Sequence, residues 1–569
     1  MVSAKKPSNL VYGLDDAPPL AITLFNGIQH VGLIAINLVY PLLIFRMVDA
    51  PVALVTNLMA VGMLVLGIAT FLQVIRLGPV GSGYMCPATF TATYLGPALL
   101  AAKIGGLPMV FGMTLLAGLL EVGVAPLLNR LRPIFPPEIS GLVIFMIGLS
   151  GGIAGLRSLL AIGAAPVSPA EWWVGGITLA SMIALNVWGK GTARMLCALI
   201  GLAIGYLAAF AAGLIDSQTF STLPGTPWIG IPAVSGMSWS FDVALAAPFA
   251  IASIAAAMKA AGTITVCQRM NDANWVRPDM TSVTRGVLAD GLGSVIAGVA
   301  GSVGVNTSTP AAGLASATGV ASRQVAYAAG AIFLLLSFFP MVTASLAVMP
   351  RPVIVAALLF AVSFILINGV QVINSRLLDA RRTLVIALSI LAGVAVEVFP
   401  TIAAAAPKGL APVIGSSLVL STLTALALNL LFRIGVKKTV RLTLTGAEFE
   451  SQRIEDFFQN ESAKWGARPD VARCATFAVS QLVEVVVENC RRRGPIVIQA
   501  SFDEFNFDVS VGYEGKRLEF PERRPSDAQI RESEEGMRLL AGYMLRRNAD
   551  RVRSESHNGN VTIYFHFDH

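Results

Sequence analysis

From residue 20 to residue 432 the chain is a near-continuous succession of apolar runs joined by short polar links. Hydrocarbon about 30 Å thick needs roughly 20 apolar residues per helical crossing. Inside it, backbone N–H and C=O groups must find partners within the protein. A chain of this kind folds there as a bundle of membrane helices. The runs fall near 20–45, 53–75, 83–102, 107–128, 138–160, 171–188, 195–215, 243–266, 286–303, 306–319, 324–348, 352–373, 383–400 and 412–432, fourteen in all. Charged residues make up 13% of the chain and the mean hydropathy is +0.69, where a soluble domain has about 25% charged residues. A soluble enzyme on a single anchor is thereby excluded. The net charge of +7 sits mostly in basic loops and does not indicate a nucleic-acid partner. The cysteines Cys86, Cys197, Cys267, Cys474 and Cys490 show neither metal-ligand spacing nor a disulfide framework. Residues 1–19 are polar without a cleavable signal pattern and are expected to form a cytosolic tail.

Two of the fourteen runs are poor helices. Gly81-Ser82-Gly83-Tyr84-Met85-Cys86-Pro87 and Asn306–Gly319 hold too much Gly, Pro, Ser and Thr. They are third and tenth in order, seven apart. Paired interrupted segments in two halves of a membrane chain predict an inverted-repeat transporter with its site at the midplane. The second of them lies in Phe241–Arg323, with Lys259 in an apolar run, a loop expected over Arg269–Arg285, and Asp290 in the next run.

Loop charge predicts the orientation. With the N-terminus inside, the inner loops hold Lys5, Lys6, Arg76, Arg130, Arg132, Lys190, Arg194, Arg269, Arg277, Arg285, Arg323, Arg376, Arg381, Arg382, Arg433, Lys437, Lys438 and Arg441. The outer loops hold Arg46, Lys103, Arg157, Arg351 and Lys408. This obeys the positive-inside rule and places both termini in the cytosol of a multi-pass cell-membrane protein. Twelve spans with two re-entrant segments would keep the same ends. After about Val440 the composition turns charged, with alternating strands such as 496–500 and 561–565 and a helical pattern over Val471–Arg491. Residues 441–569 are therefore expected to be a separate cytosolic α/β domain, following a membrane domain at 20–435.

Ordered motifs give a more specific expectation. Asp15-Asp16-Ala17-Pro18-Pro19, Gly27-Ile28-Gln29-His30-Val31 and Tyr40-Pro41-Leu42 open the first span. Gly81-Ser82-Gly83 follows, then Phe135-Pro136-Pro137-Glu138-Ile139-Ser140-Gly141 with Ile147-Gly148-Leu149-Ser150. Arg285-Gly286 with Asp290-Gly291, Gly313-Leu314 with Thr318-Gly319-Val320 and Ser322-Arg323, and Met349-Pro350 with Pro352-Val353 complete the series. Over roughly residues 11–435 the chain resembles the nucleobase–ascorbate (xanthine/uracil permease) transporters. The resemblance implies fourteen segments in two inverted repeats of seven. Segments 1–4 and 8–11 would form a core domain, and 5–7 and 12–14 a gate domain. Substrate would sit near segments 3 and 10 and move by an elevator-like shift, with a proton or sodium as coupling ion and no other cofactor, in a homodimer.

Within that resemblance the site departs from its relatives. The glutamate usual in segment 8 is Lys259, followed by Gly262, and the Gln/Glu-Asn pair of segment 10 falls on Pro310-Ala311. Lys259 would bind an anionic group, pair with Asp290 or carry a coupling proton. The alternative is snorkelling, but Arg269 lies ten residues on, roughly 15 Å of helix at 1.5 Å per residue. Intramembrane charge is costly and by default functional. Asn306, Thr307, Ser308 and Thr309 offer hydroxyls, an amide and free backbone donors ahead of a half-helix, which favours electronegative ligands. Close helix packing is their alternative role. Ala88-Thr89-Phe90 resembles the family's Thr-Ser-Phe, which implies substrate contact at Thr89 and ring stacking from Phe90; a packed or lipid-facing Phe90 is equally consistent. Gln29 and His30 would shape the site indirectly. Asp290 is the carboxylate expected to couple transport, or else to make a structural salt bridge. Nothing in the sequence fixes the roles of Glu121 and Glu397.

The tail resembles the GHKL ATP-binding fold in its anti-sigma form. Its expected order is a helix at Ala475–Asn489, strands at 496–500 and 505–513, then Gly536-Met537-Arg538-Leu539-Leu540 and a final strand. Its nucleotide boxes are degenerate. Glu484 is followed at plus four by Glu488, with Asn489 one position late, and the Asp-x-Gly-x-Gly place reads Tyr513-Glu514-Gly515-Lys516-Arg517. Weak or no ATP binding and no kinase activity are expected, with regulation or a cytosolic partner as the domain's use.

Together these readings predict a non-enzymatic symporter for a heterocycle such as xanthine, urate or uracil. The competing readings are an anion transporter of sulfate-permease-like architecture and a transporter-derived sensor signalling through its tail.

Overall fold

The computed structural model describes residues 6–8, 10–76, 78–128, 136–159, 167–215, 227–234, 237–275, 278–374, 378, 380–399, 401–404, 414–432, 438–445, 451–465, 467, 469–489, 493–503, 506–525, 534–557 and 559–568. Lys5, Arg130, Arg132, Phe135, Arg277, Arg376, Lys408, Arg433, Lys437, Cys490 and Arg491 lie outside them. The chain divides into two compact units, Met1–Asn429 and Leu430–His569.

The first unit is helical, and each of the fourteen apolar runs contains helix. Segment 1 is α1 (Leu20–Ala35) continued through a 3-10 turn into α2 (Val39–Met47), and segment 2 is α3 (Val52–Val74). Segment 3 begins as a strand, β1 (Ala88–Phe90), and a 3-10 turn at Ala92–Tyr94 leads into α4 (Leu95–Val124). That helix breaks at Gly105 and Gly106, where Gly106 takes a positive φ of 64°, so it supplies both the half-helix of segment 3 and all of segment 4. Segments 5 to 7 are α5 (Pro137–Leu159), α6 (Pro169–Trp188) and α7 (Cys197–Ala211). Segments 8 and 9 are α8 (Val243–Asn271) and α9 (Met280–Ala300). Segment 10 repeats the plan of segment 3, with β2 (Val305–Thr307) ahead of α10 (Thr309–Thr318). Segment 11 is a bent pair, α11 (Arg323–Ser337) and α12 (Pro340–Ala347), and α13 (Arg351–Ile373), α14 (Ala380–Val398) and α15 (Ser417–Phe432) complete the series.

Two boundaries differ from the hydropathy reading. The Arg269–Arg285 loop shrinks to about eight residues, because α8 runs on to Asn271 and α9 starts at Met280. Asp279 caps α9 by accepting a hydrogen bond from the Thr281 amide, and its first turn is polar, which hydropathy does not register as helix. The single run at 324–348 bends by 81° between α11 and α12, where Pro340 opens the second piece. Among the described residues seven helices are long and apolar enough to cross hydrocarbon alone, and the bent pair makes an eighth. The remaining segments are shorter, broken or more polar.

Glycines set the helix spacing, and the close pairs follow the repeat. A Cβ on Gly118 of segment 4 would lie 2.5 Å from the Val295 amide of segment 9, and one on Gly298 would strike the Leu115 backbone. The counterpart pair, segments 11 and 2, meets through Gly67 against Leu334. Segments 5 and 12 meet through Gly141, Gly148 and Gly369, the last leaving 2.5 Å to the Phe145 amide. Adding seven, counted round fourteen, turns the 4–9 contact into 11–2 and the 5–12 contact into itself, as an inverted repeat requires.

The chain start is strapped to the end of segment 10. Val11 and Tyr12 donate to the Gly319 carbonyl, Ala321 donates back to Tyr12, and Arg323 donates from its amide to Leu14. The Ser322 hydroxyl donates to the Asp16 carbonyl at 2.6 Å. The Arg323 guanidinium pairs with Asp15 at 2.8 Å and donates to the Gly83 carbonyl of the segment 2–3 loop at 2.5 Å.

The second unit is an antiparallel five-stranded sheet in the order β3 (Lys438–Leu444), β4 (Arg493–Phe502), β5 (Asn506–Glu514), β7 (Asn560–Asp568), β6 (Arg551–His557). Ile496, Ile498, Phe507, Val509, Val511, Ile563 and Phe565 pack inward against α16 (Ser451–Trp465), α17 (Pro469–Asn489) and α18 (Glu534–Asn548) through Phe458, Val479, Leu482, Val486 and Leu545. The sheet starts at Lys438, which pairs with Phe502, three residues before the composition change marks it. Tyr513, in place of the first box residue of a nucleotide site, is buried and closes a turn onto the Lys516 carbonyl at 2.9 Å. Glu484 is exposed on α17, and the side chains of Glu488 and Asn489 lie outside the described residues.

Candidate functional site

The two interrupted segments meet. β1 and β2 pair antiparallel in the register Ala88↔Thr307, Thr89↔Asn306, Phe90↔Val305. The strands lend each other backbone partners that neither short segment could supply alone. A half-helix then starts from each strand. Thr91 caps the first, accepting from the Thr93 amide at 3.2 Å. Ser308 caps the second, accepting from the Ala311 amide at 3.4 Å. Pro310 sits in the first turn of α10, where a missing N–H costs nothing.

Lys259 reaches the first of these helix starts. Its ammonium donates to Thr91 Oγ1 at 3.4 Å, and Thr91 shares a 2.8 Å hydrogen bond with Thr93. One turn further along α8, Thr263 donates to the Lys259 carbonyl or to Thr309 Oγ1, which lies 2.7 Å away. Lys259 and Thr309 are half-buried, whereas Thr91, Thr263 and Ser308 are buried. Beside them is open space: a Cβ added at Gly96, Gly262 or Gly313 would meet no atom within 4 Å. The result is a donor-rich cluster with one cationic group at the heads of two half-helices.

The other expected residues stand behind this front. Asp290 is buried and accepts from Asn306 Nδ2 at 2.5 Å and from Thr307 Oγ1 at 2.9 Å. Asn306 also donates to the Ala256 carbonyl, and Gln73 donates to Thr307 at 3.2 Å. Among the described residues no ion pair joins Lys259 to Asp290, so that expected pairing is not formed; the carboxylate is held by β2 instead. Thr89 accepts from Asn37 of segment 1 at 2.7 Å. Phe90 is 1% exposed and its ring tip lies against Gly62, 3.0 Å from where a Cβ would stand; this is the packed arrangement of that ring. His30 is fully buried, with Nδ1 2.8 Å from the Asn26 carbonyl and Nε2 3.3 Å from that of Ala311. A neutral imidazole has one N–H, so it serves one of these at a time. Gln29 is buried, and its Oε1 has no partner among the described residues. His30 of segment 1 thus meets half-helix 10 as Lys259 of segment 8 meets half-helix 3, the same contact in both repeats.

Sequence reasoning missed Thr91, Thr93 and Thr263. The last was recoverable, since i and i+4 share a helix face. Glu397, of unassigned role, proves structural: it pairs with Arg157 at 3.2 Å and accepts from Ser417 at 2.8 Å. Cys86 and Cys267, remote in sequence, face each other as free thiols 2.8 Å apart.

The chain is similar to several known proteins over most of its length. Xanthine permease XanP of Escherichia coli K12 is 29% identical over 454 residues, covering 76% of this chain and 96% of the relative. Uric acid permease PucJ of Bacillus subtilis 168 is 27% identical over 425 residues, covering 72% and 93%. The transmembrane domain of a cyanobacterial bicarbonate transporter, BicA, superposes with a TM-score of 0.45 at 16% identity, over 72% of this chain and 97% of that one. The Permease family profile for xanthine/uracil permeases matches residues 21–402, and a chain with these broken segments, matched over that length, belongs to the xanthine/uracil permease family.

Proposed function

We propose that the chain is a secondary transporter for a purine-type heterocycle bound as an anion or through electronegative edges, with xanthine and urate as the leading substrates. The carrying observation is Lys259. It places an ammonium, free of any carboxylate ion pair among the described residues, beside Thr91, Thr263 and Thr309 at the starts of two half-helices. Helix N-termini and hydroxyl donors favour negative or electronegative groups. Xanthine and urate ionise more readily than other purines and offer ring edges rich in acceptors. The permeases named above for xanthine and uric acid support the same choice.

In this reading the substrate is carried by an elevator-like shift of segments 1–4 and 8–11 against 5–7 and 12–14, coupled to a proton or sodium. Both termini lie in the cytosol and the working form is a homodimer. The C-terminal unit regulates transport or binds a cytosolic partner without hydrolysing ATP. A second reading, transport of an inorganic anion, is favoured by the same ammonium.

A thermal-shift screen of the purified protein against xanthine, urate, uracil, ascorbate, sulfate and bicarbonate separates the two. A ligand at 100 times its Kd stabilises by about 2.7 kcal/mol. Stabilisation by xanthine or urate is expected, and stabilisation by sulfate or bicarbonate alone would overturn the heterocycle reading.

A further inference from the structure

Asn37 stands at a break in segment 1. Pro41, four residues on, has no N–H for the Asn37 carbonyl, and the helix tightens into the 3-10 turn Ile36–Leu38 between α1 and α2. The turn packs against β1 and α13. Asn37 is half-buried there, and its Nδ2 donates to Thr89 Oγ1 at 2.7 Å. The Thr89 hydroxyl gives its own proton to the Phe90 carbonyl at 3.2 Å, so it accepts from Asn37. That fixes which end of the amide is which. The other end, Oδ1, accepts from no donor among the described residues.

Thr89 and Thr91 lie on one face of the strand. Side chains alternate along extended backbone, and Thr91 keeps an extended φ of −121° and ψ of 137°. The opposite face is closed: Phe90 packs on Gly62 of α3, and Thr307, paired with Ala88, is held by Gln73. Asn37 therefore meets the front face at Thr89, and Lys259 meets it at Thr91. Two residues of strand separate these contacts, about 6.6 Å. The two side chains come from segments 1 and 8, which correspond in the repeat. Seven positions before Asn37, His30 meets half-helix 10, so segment 1 touches both broken segments.

Two groups of opposite character thus flank one face. The ammonium only donates, and the amide carbonyl only accepts. A planar heterocycle offers the matching pair, an electronegative edge and a ring N–H one ring system apart. Sulfate offers acceptors alone.

We propose that Asn37 binds the substrate and sets its specificity: Oδ1 accepts a hydrogen bond from a ring N–H of a heterocycle whose electronegative edge faces Lys259, with Thr89 holding the amide in place. The contact rests on the heterocycle reading above and assigns the side of the substrate that Lys259 leaves unread.

Calorimetric titration of the purified full-length protein with xanthine, urate and each singly N-methylated xanthine tests it. The wild type is expected to bind one methylated compound, the one whose contacted N–H is replaced, roughly 10-fold or more weakly than xanthine. Asn37→Leu keeps the size and removes the acceptor. It is expected to weaken xanthine binding by roughly 3–10-fold and to bring that methylated compound close to xanthine. A change acting through folding alone lowers every affinity together. Equal weakening of all the compounds, or an unchanged preference, therefore overturns the contact. Should Asn37→Leu not yield monodisperse protein, Thr89→Val removes only the oxygen that holds the amide, and the preference must narrow; an unchanged preference again overturns the contact. A wild type that binds xanthine without discriminating among the methylated compounds overturns the contact and leaves the heterocycle reading standing. A wild type that binds neither xanthine nor urate overturns that reading, and the contact with it.

Discussion

Thr263 and Thr309 share a hydrogen bond of 2.7 Å that ties α8 to the first residue of α10, one helical turn from Lys259. The ammonium and the start of half-helix 10 are therefore held in fixed relation by two hydroxyls. Both residues lie beside the open space at Gly262 and Gly313.

Replacing the ammonium tests the site directly. A hydrogen bond to a charged group contributes about 1.5–3 kcal/mol, so Lys259→Met should weaken xanthine or urate binding by roughly 10–100-fold. Lys259→Glu should change which ligands bind, disfavouring anions. Calorimetric titration checks both, and unchanged affinity in Lys259→Met would relegate the lysine to packing.

The Thr263–Thr309 link should matter less. Thr263→Val keeps the shape and removes the bond, a loss of about 1 kcal/mol. Binding should weaken several-fold with melting temperature nearly unchanged. A large melting loss with intact affinity would mark the pair as structural.

Much of this was legible in the sequence. The apolar runs determine a helical membrane unit because hydrocarbon leaves few other solutions, and the Gly/Pro- and Ser/Thr-rich places of segments 3 and 10 announce the breaks, though not the strands that fill them. The contacts of Asp290 were not legible. Whether it faces Lys259 or β2 depends on where a strand from a later segment comes to lie, which the sequence of α9 (Met280–Ala300) alone does not encode. Phe90 was ambiguous for a related reason: a three-residue strand between two polar neighbours does not tell which side is core. Glu121 was visible as a buried charge, but its partner Tyr94 lies 27 positions earlier, across the break between the strand and the helix.

Helix contact through glycine predicts a steep dependence on side-chain size. Gly298→Val places a methyl group against the Leu115 backbone, which cannot swing aside. Overpacking of this kind costs about 1–3 kcal/mol or more. Gly123→Ala, where a Cβ meets nothing within 4 Å, is the control. Thermal unfolding in detergent should show a clear drop for the first and none for the second; equal behaviour would refute the close approach of α4 and α9.

The strap at the chain start should loosen in acid. The Lys6 ammonium, donating at 2.6 Å, and the Gly13 amide, at 2.8 Å, hold the Asp16 carboxyl below the ordinary aspartate value. A carboxyl whose folded value is depressed contributes above the unfolded value, and the contribution fades as pH falls through the folded one. Exchange of the Val11 and Gly13 amides, corrected for intrinsic rate, should therefore be flat near neutrality and accelerate only below the ordinary aspartate range. Asp16→Asn should abolish that acid step.

For the C-terminal unit, titration of residues 430–569 with ATP and magnesium should give no heat of binding, since Tyr513, expected from the tail's resemblance to stand at the adenine-binding aspartate's place, is buried. Micromolar affinity would refute this.

The strap also has a chronology. Ser322 and Asp16 are 306 positions apart, so the strap at the start of the chain waits for partners made after most of the bundle. At about 5–20 residues per second, that delay is roughly 15–60 s of synthesis. Throughout it Asp15 and Asp16 must stay unclaimed by the basic loops emerging in between. The last event in assembling the core is then an arrival at the beginning of the chain, and a bulky fusion placed just ahead of Lys6 would interfere with closure rather than with insertion.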